Sequence, residues 1–139
     1  MPEKPIINIT IPVFHRLPST QRVLLSLRRT ERIVPFSITV VDNGSDRELV
    51  DKLVEFKKAG RIENRFLLPE NMGIACAANI GWQMVDAPVY MKLDNDRVAR
   101  RTDWPAALLR LWSHGRGLST FGGAENEEEL LAEPGALET

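Results

Sequence analysis

Residues 6–12, which read Ile6-Ile7-Asn8-Ile9-Thr10-Ile11-Pro12, decide the fold. β-Branched residues dominate this stretch, and the isoleucines at 7, 9 and 11 alternate with the polar residues at 8 and 10. A period of two in β-branched residues is typical of a strand, and a proline is typical of its end. The first element of the chain is therefore predicted to be a β-strand.

Helices and strands alternate along the residues that follow. The segment from Pro18 has apolar residues at helical spacing, with Ser19 or Thr20 as its expected N-cap. A capping-box pattern from Ser45 to Glu48 predicts a second helix. Further helices are predicted over 73–84 and from 103, and further strands over 36–41, about 65–68 and 89–93. Such alternation indicates βαβ crossovers, which predict an α/β fold with a mainly parallel sheet flanked by helices.

Composition limits the class of protein and the number of domains. The chain has 139 residues, of which 43% are hydrophobic and 27% are charged, as in an ordinary globular domain. We expect one domain over residues 1–114, because the helical pattern ends there and a tail rich in Gly and Glu follows over 115–139. Eighteen basic against nineteen acidic residues give a formal charge of -1, so no nucleic-acid partner is expected. No secretion signal or membrane span is evident, which predicts a cytoplasmic protein.

The polar residues that follow the strands are the candidates for a functional site. Ligands of open parallel sheets bind at the carboxyl ends of the strands, where this sequence places residues 12–15, 42–45, 70–73 and 94–96. Asp94 and Asp96 are separated by one residue, so two carboxylates could share Mg²⁺ or Mn²⁺ bound to a diphosphate. Turn and capping chemistry is the alternative explanation for this pair.

The other strand ends allow similar pairs of explanations. Asp42 could accept a hydrogen bond from a base imide, although Asp-Asn-Gly-Ser is also a good turn. Asn71 and Gly73 could approach a ligand closely, and the small residues after them indicate tight packing of a helix on the sheet. His15 and Arg16 could meet a phosphate or could simply be surface residues.

Four ordered motifs together resemble a known family. They are Ile9-Thr10-Ile11-Pro12-Val13-Phe14 with Arg16, Val40-Val41-Asp42-Asn43-Gly44-Ser45, Pro69-Glu70-Asn71-Met72-Gly73 with Ala78-Asn79-Ile80-Gly81, and Leu93-Asp94-Asn95-Asp96. Over about residues 6–112 the chain is similar to the nucleotide-binding half of a family 2 glycosyltransferase. This resemblance implies a Rossmann-like GT-A fold. It also implies transfer of a sugar from a nucleoside diphosphate sugar to an acceptor hydroxyl, with inversion.

The resemblance also implies roles for individual residues. Pro12, Val13 and Phe14 would line the base and ribose site, and Asp42 would bind the uracil or thymine imide of a UDP-sugar or dTDP-sugar. Asn71, Gly73, Asp94 and Asn95 would lie beside the nucleotide. Asp94 and Asp96 would hold Mn²⁺ or Mg²⁺, with Asp96 as the direct ligand.

The chain departs from the family pattern at two positions and in its catalytic base. His15 stands where the family often has Asn, and Ala78 stands where many members have Arg. The family also supplies its catalytic base from a second half, most of which is missing here, so the sequence assigns no catalytic residue. A truncated nucleotide-sugar-binding module, completed by a homodimer or a partner chain, is therefore the alternative. A haloacid dehalogenase-like phosphatase is disfavoured because no Lys follows Lys92.

Overall fold

The computed structural model describes residues 4–113, so the predicted tail over 115–139 lies outside the described residues. Strands and helices alternate strictly within this range. The elements are β1 (Ile7–Val13), α1 (Leu17–Arg28), β2 (Phe36–Asp42), α2 (Arg47–Lys58), β3 (Asn64–Leu67), α3 (Ile74–Met84), β4 (Val89–Lys92) and α4 (Trp104–Ser113). The predicted α/β class is confirmed, whereas the domain boundary at residue 114 stays a prediction.

The four strands form one parallel sheet in the order β3-β2-β1-β4. β1 pairs with β2 along its whole length, from Ile7 opposite Phe36 to Val13 opposite Asp42. Its pairing with β4 stops at Thr10 opposite Lys92, and Pro12 lies beyond that point. β1 therefore continues through Pro12, because the missing N–H of this proline falls where β4 no longer offers a partner.

The odd-numbered face of β1 carries the main hydrophobic core. Its isoleucines and Val13 are almost fully buried in one cluster with residues of β2, α1, α2 and α4. Leu27 and Leu53 contribute from the first two helices, and Trp104 contributes from the last. Burying aliphatic side chains of this size stabilises the fold by roughly 1.5–3 kcal/mol each.

The even-numbered face of β1 holds α3 through polar groups. Asn8 is fully buried, and its Nδ2 donates to the carbonyl oxygens of Gly81 (3.1 Å) and Val85 (3.0 Å). Thr10 is also fully buried and lies directly beneath Gly81. A Cβ on Gly81 would come within 2.2 Å of Thr10 Cγ2, so the helix can reach this distance only with glycine there. The predicted tight packing of α3 on the sheet is confirmed.

The predicted N-caps of the first two helices are wrong. α1 begins at Leu17 after Arg16, which makes no side-chain cap, so neither Ser19 nor Thr20 has that position. α2 is capped by Asp46, whose Oδ1 accepts from the Leu49 N–H at 3.1 Å, rather than by Ser45. The physical reason is that the polar groups of Ser45 bond to other segments instead of to α2. Its Oγ accepts from the His15 N–H, and its N–H donates to Asp42 Oδ1.

Parallel pairing brings all four strand carboxyl ends to one edge of the sheet. The chain adds β2 and β3 on one side of β1 and then returns to add β4 on the other side. The loops after β1 and β4 therefore border the point where the strand order reverses, which is where open α/β sheets bind ligands. None of the helices within residues 4–113 has the length and apolar character needed to cross a membrane.

Candidate functional site

Asp42 is the most unusual residue at the carboxyl edge of the sheet. It ends β2 with only 2% of its surface exposed. One carboxylate oxygen, Oδ1, accepts from the Ser45 N–H at 2.9 Å, whereas Oδ2 is buried without a hydrogen-bond partner among the described residues. An unpaired buried carboxylate oxygen is costly, about 1–3 kcal/mol or more. This oxygen is therefore an unused hydrogen-bond acceptor at the carboxyl end of β2.

Asn43 ties three segments of this edge together. It is 3% exposed, and its N–H donates to the Val13 carbonyl oxygen at 2.7 Å. Its Oδ1 accepts from the Met72 N–H at 2.8 Å, and its Nδ2 donates to the Gly73 carbonyl oxygen at 3.2 Å. This role of Asn43 could not be predicted from its position in the sequence, because the motif around it is also typical of a simple turn. The one indication in the sequence is that Asn43 places a side-chain amide, which can both donate and accept, directly after the strand end at Asp42.

Gly44 brings the loop after β2 into contact with the loop after β3. Its φ is +84°, and an added Cβ would lie 2.7–2.9 Å from main-chain atoms of Glu70 and Asn71. Main-chain atoms cannot move aside as a flexible side chain can, so only glycine fits here. The second and third strand ends therefore form one continuous wall.

Asn71 and Gly73 lie together at the exposed end of this wall. The Gly73 N–H donates to Asn71 Oδ1 at 2.9 Å, which closes a local turn before α3. Gly73 has φ +89°, and an added Cβ would meet nothing within 4 Å. Glycine is therefore required at 73 for its backbone conformation, and the space in front of it is open. The predicted pair is brought beside Asn43.

Replacing Asn43 by Ala is expected to destabilise the fold by about 2–4 kcal/mol, because it leaves the Met72 N–H and the Gly73 carbonyl without their partner. Urea denaturation followed by circular dichroism measures this loss. The exposed Asn79 on α3 provides the matched control, and Asn79→Ala should change stability by less than about 0.5 kcal/mol. Equal effects of the two substitutions would contradict the assignment.

The three predicted ligand-lining residues at the end of β1 differ in exposure. The Val13 side chain is in the core at 1% exposure, Pro12 is half-buried and Phe14 is 44% exposed. The Phe14 ring packs against the His15 ring with a centroid distance of 4.1 Å and an angle of 46° between the ring planes. Of these residues, Phe14 presents a side chain to the open edge, and any contact that Val13 makes there would come from its main chain.

Asp94 and Asp96 each face a basic side chain. Lys92 Nζ lies 2.7 Å from Asp94 Oδ1, and an Arg16 guanidinium nitrogen lies 3.9 Å from Asp96 Oδ2. Asn95 lies between them, and its side chain turns back to the corner after β1, where Nδ2 donates to the His15 carbonyl oxygen at 3.4 Å. The loop over residues 94–96, which we call the acidic loop, is thus joined to the corner that follows β1.

The carboxylates of Asp94 and Asp96 suit a hard divalent cation whose remaining ligands come from a bound phosphate and from water. Within residues 4–113 no group of three or more His, Cys, Asp and Glu side chains could hold a metal by itself. Mg²⁺ and ions like it are commonly bound by one or two carboxylates together with substrate phosphates and water. Asp96 is the freer of the two carboxylates, because its contact with Arg16 is long while Asp94 is closely paired with Lys92.

Comparison with known proteins identifies the family. The sequence model of Glycosyl transferase family 2 matches residues 8–129. The mannosyltransferase PcManGT from Pyrobaculum calidifontis, solved with GDP-Man and Mn²⁺, superposes with a TM-score of 0.66 at 17% identity, over 78% of this chain and 32% of that one. S. aureus TarS 1-349 in complex with UDP-GlcNAc superposes with a TM-score of 0.65 at 16% identity, over 78% and 32%.

The matched region is a small part of these larger proteins. The chain spans about a third of the length of the two solved structures, and no curated protein sequence matches it significantly. The structural neighbours establish the GT-A glycosyltransferase fold, and the match of the family model covers most of the sequence. The chain therefore belongs to glycosyl transferase family 2.

Proposed function

We propose that this chain binds a nucleoside diphosphate sugar together with Mg²⁺ or Mn²⁺ at the carboxyl edge of its sheet, for inverting transfer of the sugar to an acceptor hydroxyl. The observation that carries the proposal is Oδ2 of Asp42, which is buried at the carboxyl end of β2 without a hydrogen-bond partner among the described residues. Support comes from the family membership and from the neighbours solved with UDP-GlcNAc and with GDP-Man and Mn²⁺.

The chemistry of Asp42 favours uracil or thymine as the base. Because Ser45 occupies Oδ1, one carboxylate oxygen remains to accept a hydrogen bond. Uracil and thymine present a single imide N–H, whereas guanine presents an N–H and an adjacent amino group that together match two free oxygens. A UDP-sugar or dTDP-sugar therefore fits this carboxylate better than a GDP-sugar. Pro12, Val13 and Phe14 would border the base and ribose, with Asn71 and Gly73 on the opposite wall.

The acidic loop would serve the diphosphate. Asp96 would bind the cation directly, and Asp94 would be the second carboxylate of the metal site and would lie beside the nucleotide. When bound, the cation neutralises charge that develops on the leaving diphosphate. Arg16 and Lys92 lie beside these carboxylates and would offer their charges to phosphate oxygens. Contact of Asn95 with the nucleotide stays a prediction.

A nucleotide-sugar-binding module without its own turnover is the second candidate. It is favoured because no described residue is assigned as the base that deprotonates an acceptor, and within residues 4–113 no third His, Cys, Asp or Glu forms a metal-holding group with Asp94 and Asp96. Glu125 and Glu127–Glu129, the acidic residues nearest in sequence after α4, lie outside the described residues. Completion by a second copy or a partner chain would then supply the acceptor side. This association and a cytoplasmic location stay predictions.

Calorimetry with UDP, dTDP and GDP, with and without Mn²⁺, tests the proposal. We expect UDP and dTDP to bind in the presence of Mn²⁺, and Asp96→Asn to lower that affinity by roughly 10-fold or more. Asp51→Asn on the exposed face of α2 is the matched control and should bind as the unmodified chain does. Absence of metal-dependent binding to all three nucleotides would overturn the proposal.

Turnover separates the two candidates. Release of UDP from a set of UDP-sugars by the purified chain, abolished by Asp96→Asn, would establish an active transferase or hydrolase. Tight metal-dependent binding without any release would instead favour the binding module.

A further inference from the structure

The corner between β1 and α1 is strained. His15 and Arg16 have φ values of +58° and +63°, in the left-handed region that residues other than glycine rarely adopt. Each such residue costs on the order of 1–3 kcal/mol and persists only when the surrounding structure holds it. Two in succession therefore require strong external support, and the bonds around the corner show where that support lies.

One side of the corner is held by the loop after β2. The His15 N–H donates to Ser45 Oγ at 2.7 Å, and the Asp46 N–H donates to His15 Nδ1 at 3.2 Å. These bonds join the corner to the loop that directly follows Asp42.

The other side is held by Asn95 and Thr20. Asn95 Nδ2 donates to the His15 carbonyl oxygen (3.4 Å) and to Thr20 Oγ1 (3.3 Å), while Ser19 Oγ donates to the Asn95 carbonyl oxygen. Thr20 is fully buried, and its hydroxyl donates to the Arg16 carbonyl oxygen at 2.9 Å. The middle residue of Asp94-Asn95-Asp96 is thus bonded, through one buried hydroxyl, to the main chain of Arg16.

We propose that Asn95 and Thr20 are positioning residues, which hold the strained His15–Arg16 corner at a set spacing from Asp94 and Asp96. The Arg16 guanidinium, 3.9 Å from Asp96, is then kept where a cation and a phosphate must both be accommodated. A site organised before the ligand arrives avoids an ordering cost on binding. The inference rests on the proposed function and extends it to residues that need not touch the donor.

Thr30 provides a closely matched control for Thr20. The Thr30 hydroxyl donates to the Ser26 carbonyl oxygen at 3.1 Å and accepts from Trp104 Nε1 at 2.9 Å, and Thr30 is 4% exposed. Both threonines thus pair one buried hydroxyl with a carbonyl four residues back and with one side-chain N–H donor. They lie near opposite ends of α1, about 15 Å apart along a helix. Replacing either by Val should cost similar stability, but only Thr20 supports the corner.

Calorimetric titration of UDP with Mn²⁺ compares Thr20→Val, Thr20→Ser and Thr30→Val. We expect Thr20→Val to weaken binding roughly 10-fold, the size of effect known for residues that orient metal ligands. Thr20→Ser keeps the hydroxyl and should restore binding, and Thr30→Val should bind as the unmodified chain does. Equal affinities of Thr20→Val and Thr30→Val would overturn the inference while leaving the proposed function intact.

Limited trypsin digestion provides a readout that needs no ligand. Arg16 is exposed, so cleavage of the Arg16–Leu17 bond reports how firmly the corner is held. Mass spectrometry should show faster cleavage there in Thr20→Val and Asn95→Ala than in Thr30→Val. Equal cleavage rates would overturn the positioning role. Failure of the unmodified chain to bind nucleotide would overturn the proposed function, and the digestion would still decide whether the corner is held in this way.

Discussion

Replacing Asp42 by Asn is expected to weaken the binding of UDP by about 10- to 150-fold, the equivalent of losing a charged hydrogen bond of about 1.5–3 kcal/mol. The Asn oxygen can still accept from the Ser45 N–H, which places the amide NH₂ where Oδ2 now lies. A donor there would face the imide N–H of uracil, so two donors would oppose each other.

The same substitution should reverse the preference of the site from uracil to cytosine. Cytosine carries an acceptor at N3, where uracil carries the imide N–H, so the new amide NH₂ can donate to it. Calorimetry in Mn²⁺ should therefore show that the unmodified chain prefers UDP to CDP and that Asp42→Asn prefers CDP. An unchanged ratio of the two affinities would contradict contact between Asp42 and the base.

Stability provides the control for this result. Oδ2 has no partner among the described residues, so an amide in its place removes a buried charge without removing a hydrogen bond. We expect Asp42→Asn to leave the free energy of unfolding unchanged or to raise it. Asp51→Asn, on the exposed face of α2, should leave UDP binding unchanged.

Replacing Gly81 by Val is expected to lower the free energy of unfolding by about 3 kcal/mol or more. The added Cβ would lie 2.2 Å from Thr10 Cγ2 and 2.6 Å from Thr10 Oγ1. Thr10 is fully buried in the central strand and cannot swing aside, so α3 must move away from the sheet. This movement would also stretch the bond from Asn8 Nδ2 to the Gly81 carbonyl oxygen.

Chemical denaturation separates this clash from the general effect of replacing glycine. Gly60 has φ +74°, but an added Cβ meets nothing within 4 Å, so Gly60→Ala should cost only the conformational penalty of about 1–2 kcal/mol. Combining Gly81→Ala with Thr10→Ala should recover part of the loss of Gly81→Ala, because the two side chains are in direct contact. Simple additivity of these two substitutions would contradict the proposed clash.

Much of the fold and of the candidate site could be predicted from the sequence. The period-two pattern of residues 7–11 and the alternation of elements were enough to predict a parallel α/β sheet. Because parallel strands end at a common edge, the polar residues that follow them were correctly expected to meet there. The order of the four motifs likewise indicated the family that the comparisons confirm.

The caps and the bonds between loops could not be predicted from local patterns. Ser45 looks like an N-cap by spacing, but it bonds to His15, which is 30 residues away. Asn95 looks like part of an acidic motif, but its amide reaches His15 across 80 residues. Such bonds depend on which loops the sheet order brings together, and local spacing does not carry that information.

The sequence by itself determined the elements, their parallel arrangement and the edge where chemistry is expected, since periodicity and turn residues act over a few positions. Only the tertiary structure decided which polar groups at that edge are satisfied and which are left over. The side-chain amide of Asn43 bonds to Met72 and Gly73, whereas one buried oxygen of Asp42 has no partner within residues 4–113. The physical reason is that hydrogen bonding of buried groups is settled by packing between distant segments, and we propose that a ligand uses the Asp42 oxygen that this packing leaves unpaired.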